Sequence, residues 1–332
     1  MKHLLVSLLL IAPCTWIHGQ PLSFDNFIAQ LNNLEKEKNF TEAQSYLLKH
    51  ESTFPDYWFL LSKEKIYLNE KLMKHEENLD IYKQGHIKGF FYFLHPAIPR
   101  YKPYLEFSGF DDLVKTDRKL HEKALEHSST LYKIDLPSGF SPKKSYPLFI
   151  IFHGGNSNFQ RVGKHWNAEL IDDHYIKLYL QSYRCFDSGS FTWRAGDPRS
   201  DRDIIRIFKE ICLSYPVDTS NIIVSGMSAG ATYAIGMSLR GIIPVSGIIA
   251  FCPGLPGEIA SNAGQDNFRS DIRAYLLGGE NDYYREHQEK LCRVFDQAGL
   301  DFLYVIEDEM SHQYPENEAN YISEGIHFIM EQ

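Results

Sequence analysis

The sequence predicts an α/β fold: a doubly wound, mostly parallel sheet with helices on both faces, preceded by a small helical segment. Three observations predict it. From residue 131 onward, short runs of β-branched and aromatic residues alternate with amphipathic stretches of helical period, the pattern of a parallel sheet built from crossover units. Runs such as residues 148–152 are apolar without alternation, as strands covered on both faces must be. Before residue 131 the apolar positions fall at helical spacing instead.

The chain has 332 residues, 43% hydrophobic and 14% aromatic, enough for one large domain or a domain with an appendage. Its formal charge is −9, with acids and bases interspersed and no basic stripe. Neutralising phosphates needs clustered Lys and Arg, so nucleic acid is not an expected partner. The opening "MKHLLVSLLLIAPCTWIHGQ" has a basic start, a short apolar run and Pro13. That run is too short to span a bilayer and reads as a signal peptide over residues 1–20, cleaved near Gly19 or Gln20. The mature chain is then exported, periplasmic or extracellular. Cys14 would suit a lipoprotein anchor, but Pro13 stands where that motif takes a small residue. No other segment reads as transmembrane. Cys185, Cys212, Cys252 and Cys292 are widely spaced without a C-x-x-C pair. Zinc and a dense disulfide framework are therefore not expected, although one bridge has room to form.

Residues 21–127 read as a helical segment. Phe24, Phe27, Ile28, Leu31 and Leu34 mark its first helix. In "NFTEAQSYLLKH", Thr41 and Gln44 form a capping-box pattern over a stripe of Ala43, Tyr46 and Leu47. Pro55 opens a third helix, with Tyr57, Leu60, Leu61 and Leu68 on one face. With Phe40, Ala43 and Pro55 the unit is tetratricopeptide-like, but there is room for about one repeat where a stable array needs three or more. A helical, prodomain-like cap packed on the rest is the expectation, with an independent peptide-binding array as the lesser alternative. The aromatic, proline-broken residues 86–110 are expected to form an irregular or short strand-bearing connection. A helix follows through "DRKLHEKALEHS", on which His121 and His127 read as a solvated stripe.

Residues 128–332 carry the alternation. "LYKIDLP", "YPLFIIFHGG", "IKLYLQS", "NIIVSG", "VSGIIAFC", "IRAYLLGGE" and "DFLYVIE" predict strands. "RDIIRIFKEICLSY", "AGATYAIGMSLRG", "REHQEKLCRVFDQAG" and "NYISEGIHFIM" predict helices. Ligand sites in such sheets lie beyond the carboxyl ends of the strands. In "GMSAG", Ser228 sits between a strand and a helix, flanked by Gly226 and Gly230, whose missing Cβ atoms let a sharp turn close. A helix-capping serine would explain this stretch alone but not what lies downstream. A serine hydroxyl attacks only when a base takes its proton, and the base needs a carboxylate to fix its tautomer. "LLGGENDYY" sets Asp282 past one strand, with Glu280 in reserve, and "EMSHQYP" sets His312 past the next. Ser, acid, His is the order this architecture uses. His287 and His327 fall within helix patterns instead. A developing oxyanion needs backbone donors: Ala229 after the serine, and Gly155 in "HGGNSN", with Asn156 as alternative. His153 is expected to brace that loop through hydrogen bonds.

"YPLFIIFHGG", "VDTSNIIVSGMSAG", "LLGGENDYY" and "EMSHQYP" resemble α/β-hydrolases of the esterase branch, which includes secreted carboxylesterases, feruloyl esterases and polyhydroxybutyrate-depolymerase-like enzymes. The resemblance runs from about residue 131 to the C-terminus and leaves out the helical part. It implies Ser228 as nucleophile, His312 as base and then acid, and Asp282 as orienting carboxylate, with Gly155 and Ala229 as the oxyanion hole. Where many relatives carry Gly-Gly after the serine's small neighbour, this chain has Gly230 and Ala231.

The expected reaction is hydrolysis of a carboxylic ester through an acyl-enzyme, the ester being small, aryl or carried on a glycan. The loop "RCFDSGSFTWRAGDPRSD" is expected to overhang the site. Phe191, Trp193, Tyr283 and Tyr284 would form an aromatic wall, with Asn156, Arg194 and Asp197 as polar contacts. No cofactor or metal is expected, because no H-E-x-x-H or paired ligand spacing appears. Two alternatives use the same chain: a serine peptidase of the prolyl-oligopeptidase kind, for which the helical segment is too short to hold the usual propeller, and a non-catalytic binding protein on a hydrolase scaffold.

Overall fold

A computed structural model of the chain describes residues 22–260 and 268–331; the signal-peptide reading of residues 1–20, Cys14 included, lies outside them. The chain divides into two compact units, Met1–Asn78 and Leu79–Gln332. The division falls inside the stretch read as one helical segment, so residues 21–127 contribute to both units.

The smaller unit holds α1 (Phe24–Lys36), α2 (Phe40–His50), α3 (Trp58–Lys71) and the start of α4 (His75–Ile87). Ser23 caps α1, its Oγ accepting the Asn26 N–H at 3.2 Å. The apolar spacing read from the sequence closes the core: Phe27, Leu31, Leu34, Ala43, Leu47, Leu61 and Leu68 pack together. Tyr57 stays exposed and stacks on Phe24 at 3.6 Å. The capping box does not form. Asn39 is the N-cap of α2, Thr41 lies within the helix, and Gln44 turns inward to donate to Asn69, which donates to Asn78 at 2.8 Å. A buried amide stripped of water gains more from such a partner than an exposed cap would give.

After the end of α4 the larger unit continues with residues 88–109, which contain no strand; the ordered piece is a 3-10 helix, Pro99–Glu106. Asp117 on α5 (Phe110–His127) explains the absence. Its carboxylate accepts the N–H groups of Tyr92 at 2.7 Å and Leu94 at 2.8 Å, and His86 Nε2 lies at 2.9 Å. Backbone donors that a ladder would have used are satisfied by one buried side chain. On the same helix His121 donates to Cys185 O at 3.0 Å, so it anchors the chain and is not part of a solvated stripe.

The sheet has seven strands: β1 (Leu131–Asp135), β2 (Tyr146–Phe152), β3 (Ile176–Gln181), β6 (Val217–Met227), β7 (Gly247–Phe251), β8 (Arg273–Gly279) and β9 (Asp301–Glu307). The spatial order is β1-β3-β2-β6-β7-β8-β9. Only the β1–β3 pairing is antiparallel; the others are parallel, in a register that aligns Ile150, Val224, Ile248, Ala274 and Phe302. A separate hairpin pairs β4 (Cys185–Asp187) with β5 (Ser190–Phe191). Alternate residues of each strand feed opposite layers. Leu148, Ile150, Phe152, Val224, Ala250 and Leu276 pack under α8 (Pro198–Ser214), α9 (Ala229–Leu239) and α11 (Arg285–Ala298). Phe149, Ile151, Ile223, Ile249 and Tyr275 pack under α7 (Glu169–His174) and α12 (Glu318–Met330). Short helices α6 (Phe159–Val162) and α10 (Gly257–Ala260) complete the elements. Cys185, Cys212, Cys252 and Cys292 are all free thiols. Among the described residues no helix is long and apolar enough to cross a membrane.

Candidate active site

The parallel strands end along one edge, and Ser228, Asp282 and His312 gather there. Ser228 follows β6 directly, at φ 54° and ψ −118°, a conformation that costs a non-glycine residue about 1–3 kcal/mol. The surroundings impose it. Ser228 N–H donates to Phe251 O at 2.9 Å, and its own carbonyl accepts Thr232 N–H at 2.8 Å. A Cβ on Gly230 would stand 2.3 Å from Phe152 O, and one on Gly226 2.7 Å from Ala231 N. The turn therefore closes only with glycine at both positions.

The hydroxyl so presented meets His312: Ser228 Oγ lies 2.8 Å from Nε2, and His312 Nδ1 lies 2.8 Å from Asp282 Oδ1. Burial disfavours a charged Asp282, but donors outweigh it: Tyr284 N–H at 2.8 Å, His312, and Gln288 Nε2 at 2.8 Å, with the Cys252 thiol adding to them. The carboxyl is held below its ordinary range. An ionised Asp282 keeps the proton on Nδ1 and leaves Nε2 free to accept from the serine. Burial pushes the Cys252 thiol well up, so it stays protonated.

Backbone contact sets the spacing of acid and imidazole. A Cβ on Gly279, at the end of β8, would lie 2.1 Å from Met310 O. Asn281 N–H donates to that carbonyl at 2.9 Å, and Glu280 Oε2 accepts Glu309 N–H at 3.0 Å. Glu280 thus ties the two loops together, and Asp282 alone faces His312.

Gly155, Asn156 and Ala229 line the cleft above Ser228. Ala229 opens α9, so its N–H is among the first four that a helix leaves unused. Asn156 is held at φ 52°, with its Oδ1 2.6 Å from Ser190 Oγ and its carbonyl accepting from Arg161 at 2.7 Å. His153 is fully buried; Nδ1–H donates to Gly154 O at 2.6 Å, and Nε2 accepts Ser182 N–H at 3.2 Å. Burial lowers its pKa to about 4, so it braces the loop as a neutral ring.

The cleft encloses about 690 Å³. Tyr283 and Tyr284 line it, their rings 4.3 and 5.2 Å from that of His312. Trp193 does not. It is 4% exposed and packs in the core against Phe152 and Tyr233, each at 5.0 Å. The chain turns there so that Thr192 reaches the cleft and Trp193 faces inward. Phe191 pairs through its backbone with Ser157, and Phe186 of the same hairpin lines the wall. Asp197 is the N-cap of α8, accepting from Arg199 N–H at 3.2 Å. Sequence reasoning passed over Gln288, although the buried spacing of Gln288, Leu291 and Phe295 marks it as a polar residue on an apolar stripe. It also passed over Arg161, Lys164 and His165 on the cleft wall.

Cys252, Asp282 and His312 bring their donor atoms within 4.8 Å of one another. Both nitrogens of His312 are engaged by Ser228 and Asp282, and the thiol is protonated. Those donors suit proton transfer and do not fit a metal, which needs deprotonated sulfur and a free imidazole nitrogen.

No protein-family model matches the chain, and no curated protein matches it. Solved structures do. An uncharacterized protein from Bacillus cereus ATCC 10987 is 23% identical with a TM-score of 0.50, covering 93% of this chain and 99% of its own. Esterase PE8 is 16% identical with a TM-score of 0.50, covering 61% of this chain and all of its own (100%). Strand order, parallel register and these likenesses agree: the larger unit has the α/β-hydrolase fold.

Proposed function

We propose that the chain is a serine hydrolase that cleaves a carboxylic ester through an acyl-enzyme. One observation carries the reading: the continuous hydrogen-bonded chain Ser228–His312–Asp282, at 2.8 Å in both links, opening into a cleft beside Gly155 and Ala229. In this reading Ser228 Oγ attacks the ester carbonyl carbon while its proton passes to His312 Nε2. The carbonyl oxygen becomes an anion facing the N–H groups of Gly155 and Ala229, each donor contributing about 3–4 kcal/mol to the transition state. Collapse breaks the acyl C–O bond, and the imidazolium gives its proton to the leaving alcohol. Water then repeats the sequence on the acyl-serine, with His312 again as base. Tyr283 and Tyr284 offer ring faces to an acyl or aryl group.

The test is labelling with a fluorophosphonate, followed by assays on short p-nitrophenyl esters and on prolyl amides, using wild type and Ser228→Ala. The expected result is one adduct at Ser228, ester turnover in the wild type only, and no amide cleavage. Prolyl amide cleavage would favour the peptidase alternative. Absence of an adduct would leave the hydrolase part a binding scaffold and end this proposal.

A further inference from the structure

The charge at the cleft is one-sided. The chain as a whole carries a formal −9, yet among the described residues no aspartate or glutamate lines the cleft, and two cations, Arg161 and Lys164, do; the nearby carboxylate of Asp282 stands behind His312, engaged by that ring, Tyr284 N–H and Gln288. Both are exposed, and among the described residues neither forms an ion pair. The carboxylate on that side, Glu318, is engaged: His165 Nδ1 lies at 2.9 Å and Trp166 N–H donates at 2.5 Å. Arg161 is positioned, not free, since one guanidinium nitrogen donates to Asn156 O at 2.7 Å, within the loop that supplies the candidate oxyanion donors. Among the described residues that bond leaves its charge and most of its five donors without a partner. Scattered surface cations need no explanation. Two of them on the wall of the cleft that holds Ser228, with no acid beside them among the described lining residues, form a receptor for negative charge, and cleft walls of low dielectric strengthen such a field.

We propose that the ester accepted at Ser228 carries an anionic group, carboxylate or phosphate, which Arg161 and Lys164 receive while the carbonyl lies against the serine. The proposal rests on the hydrolase reading and names its substrate class. The bonds made and broken are those of the acyl transfer above; the anion takes no part in them and serves to hold the ester in place.

The experiment compares kcat/KM for four esters: neutral phenyl acetate, 4-acetoxybenzoate and 4-acetoxyphenyl phosphate with the charge on the leaving group, and monophenyl adipate with the charge on the acyl group. Wild type is set against Arg161→Gln/Lys164→Gln, and Arg161→Lys serves as the conservative control. Intrinsic reactivity cancels when each ester is referred to phenyl acetate and the proteins are compared. The double variant is expected to lose about tenfold in this ratio for at least one anionic ester, the size of a two-charge contact partly screened by water. Arg161→Lys is expected to keep it, and salt near ~1 M to shrink it. The ester that responds identifies carboxylate or phosphate and the side of the scissile bond. The proposal is overturned if anionic and neutral esters fall in the same proportion, or if Ser228 is labelled by fluorophosphonate and no anionic ester is cleaved. Absence of both labelling and cleavage removes the hydrolase reading itself.

Discussion

Asp282 and Glu280 are two carboxylates on one turn with separate jobs. Asp282 Oδ1 is 2.8 Å from the imidazole, whereas Glu280 accepts a backbone N–H from Glu309. In Asp282→Asn an amide hydrogen can face Nδ1 and stabilise the wrong tautomer, so kcat on a short ester is expected to fall about 10⁴-fold. Glu280→Gln keeps an acceptor and is expected to leave kcat unchanged; steady-state kinetics on both variants check the assignment. Gly230→Ala would press a methyl group into Phe152 O. Its expected cost exceeds about 4 kcal/mol, the range of severe single substitutions, and is read as loss of soluble folded protein.

Elements decide which aromatics meet a ligand. Trp193 and Tyr283 both follow strands and both read as cleft residues in sequence. Trp193 lies under α9 against Tyr233, while Tyr283 is 70% exposed beside His312. Trp193→Ala is expected to cost about 3–5 kcal/mol through the cavity it leaves, with KM unchanged, whereas Tyr283→Ala should raise KM and leave the unfolding midpoint where it was. Denaturant titration and kinetics on the pair separate the roles. The strands and helices of the sheet were legible because period and burial are local properties of a run of residues. The placing of Ser228, Asp282 and His312 at neighbouring strand ends was legible too, since each follows a readable strand. Of the two readings of residues 86–110, irregular or strand-bearing, the irregular one holds, and what decided it was not local: the N–H groups of Tyr92 and Leu94 are satisfied by Asp117, more than twenty residues on. The inward turn of Trp193 and the support from Gln288 were not legible, since sequence distance does not say which face of a loop or helix meets the acid.

At the scale of the molecule, the shifted groups in the two units give them expected pH responses of opposite sense. Burial and the neighbouring Glu64 raise the Glu35 carboxyl in the smaller unit from 4.5 to about 7. The folded unit therefore holds a proton that the unfolded chain releases, and its stability is complete at low pH and lost as pH rises from 4.5 toward 7. His153 in the larger unit is lowered by burial from 6.5 to about 4. There the unfolded chain gains the proton, so stability present above 6.5 is lost as pH falls toward 4. Asp282, also lowered, acts in the same direction below its ordinary range. Amide hydrogen exchange read separately in α1 and β2 is expected to show protection of α1 falling and of β2 rising between pH 4.5 and 6.5, where both groups are in their transition. Glu35→Gln should abolish the first trend and spare the second.

The meeting of Gly279 with the Met310 carbonyl has an outcome for anyone reshaping this protein. Main-chain atoms, not the residues of the opposite wall, fix where acid and imidazole stand, so the wall can be rewritten without retuning the chemistry. A directed-evolution library that varies positions 164 and 186 should yield many active clones of altered preference. One that admits any other residue at 279 should yield almost none.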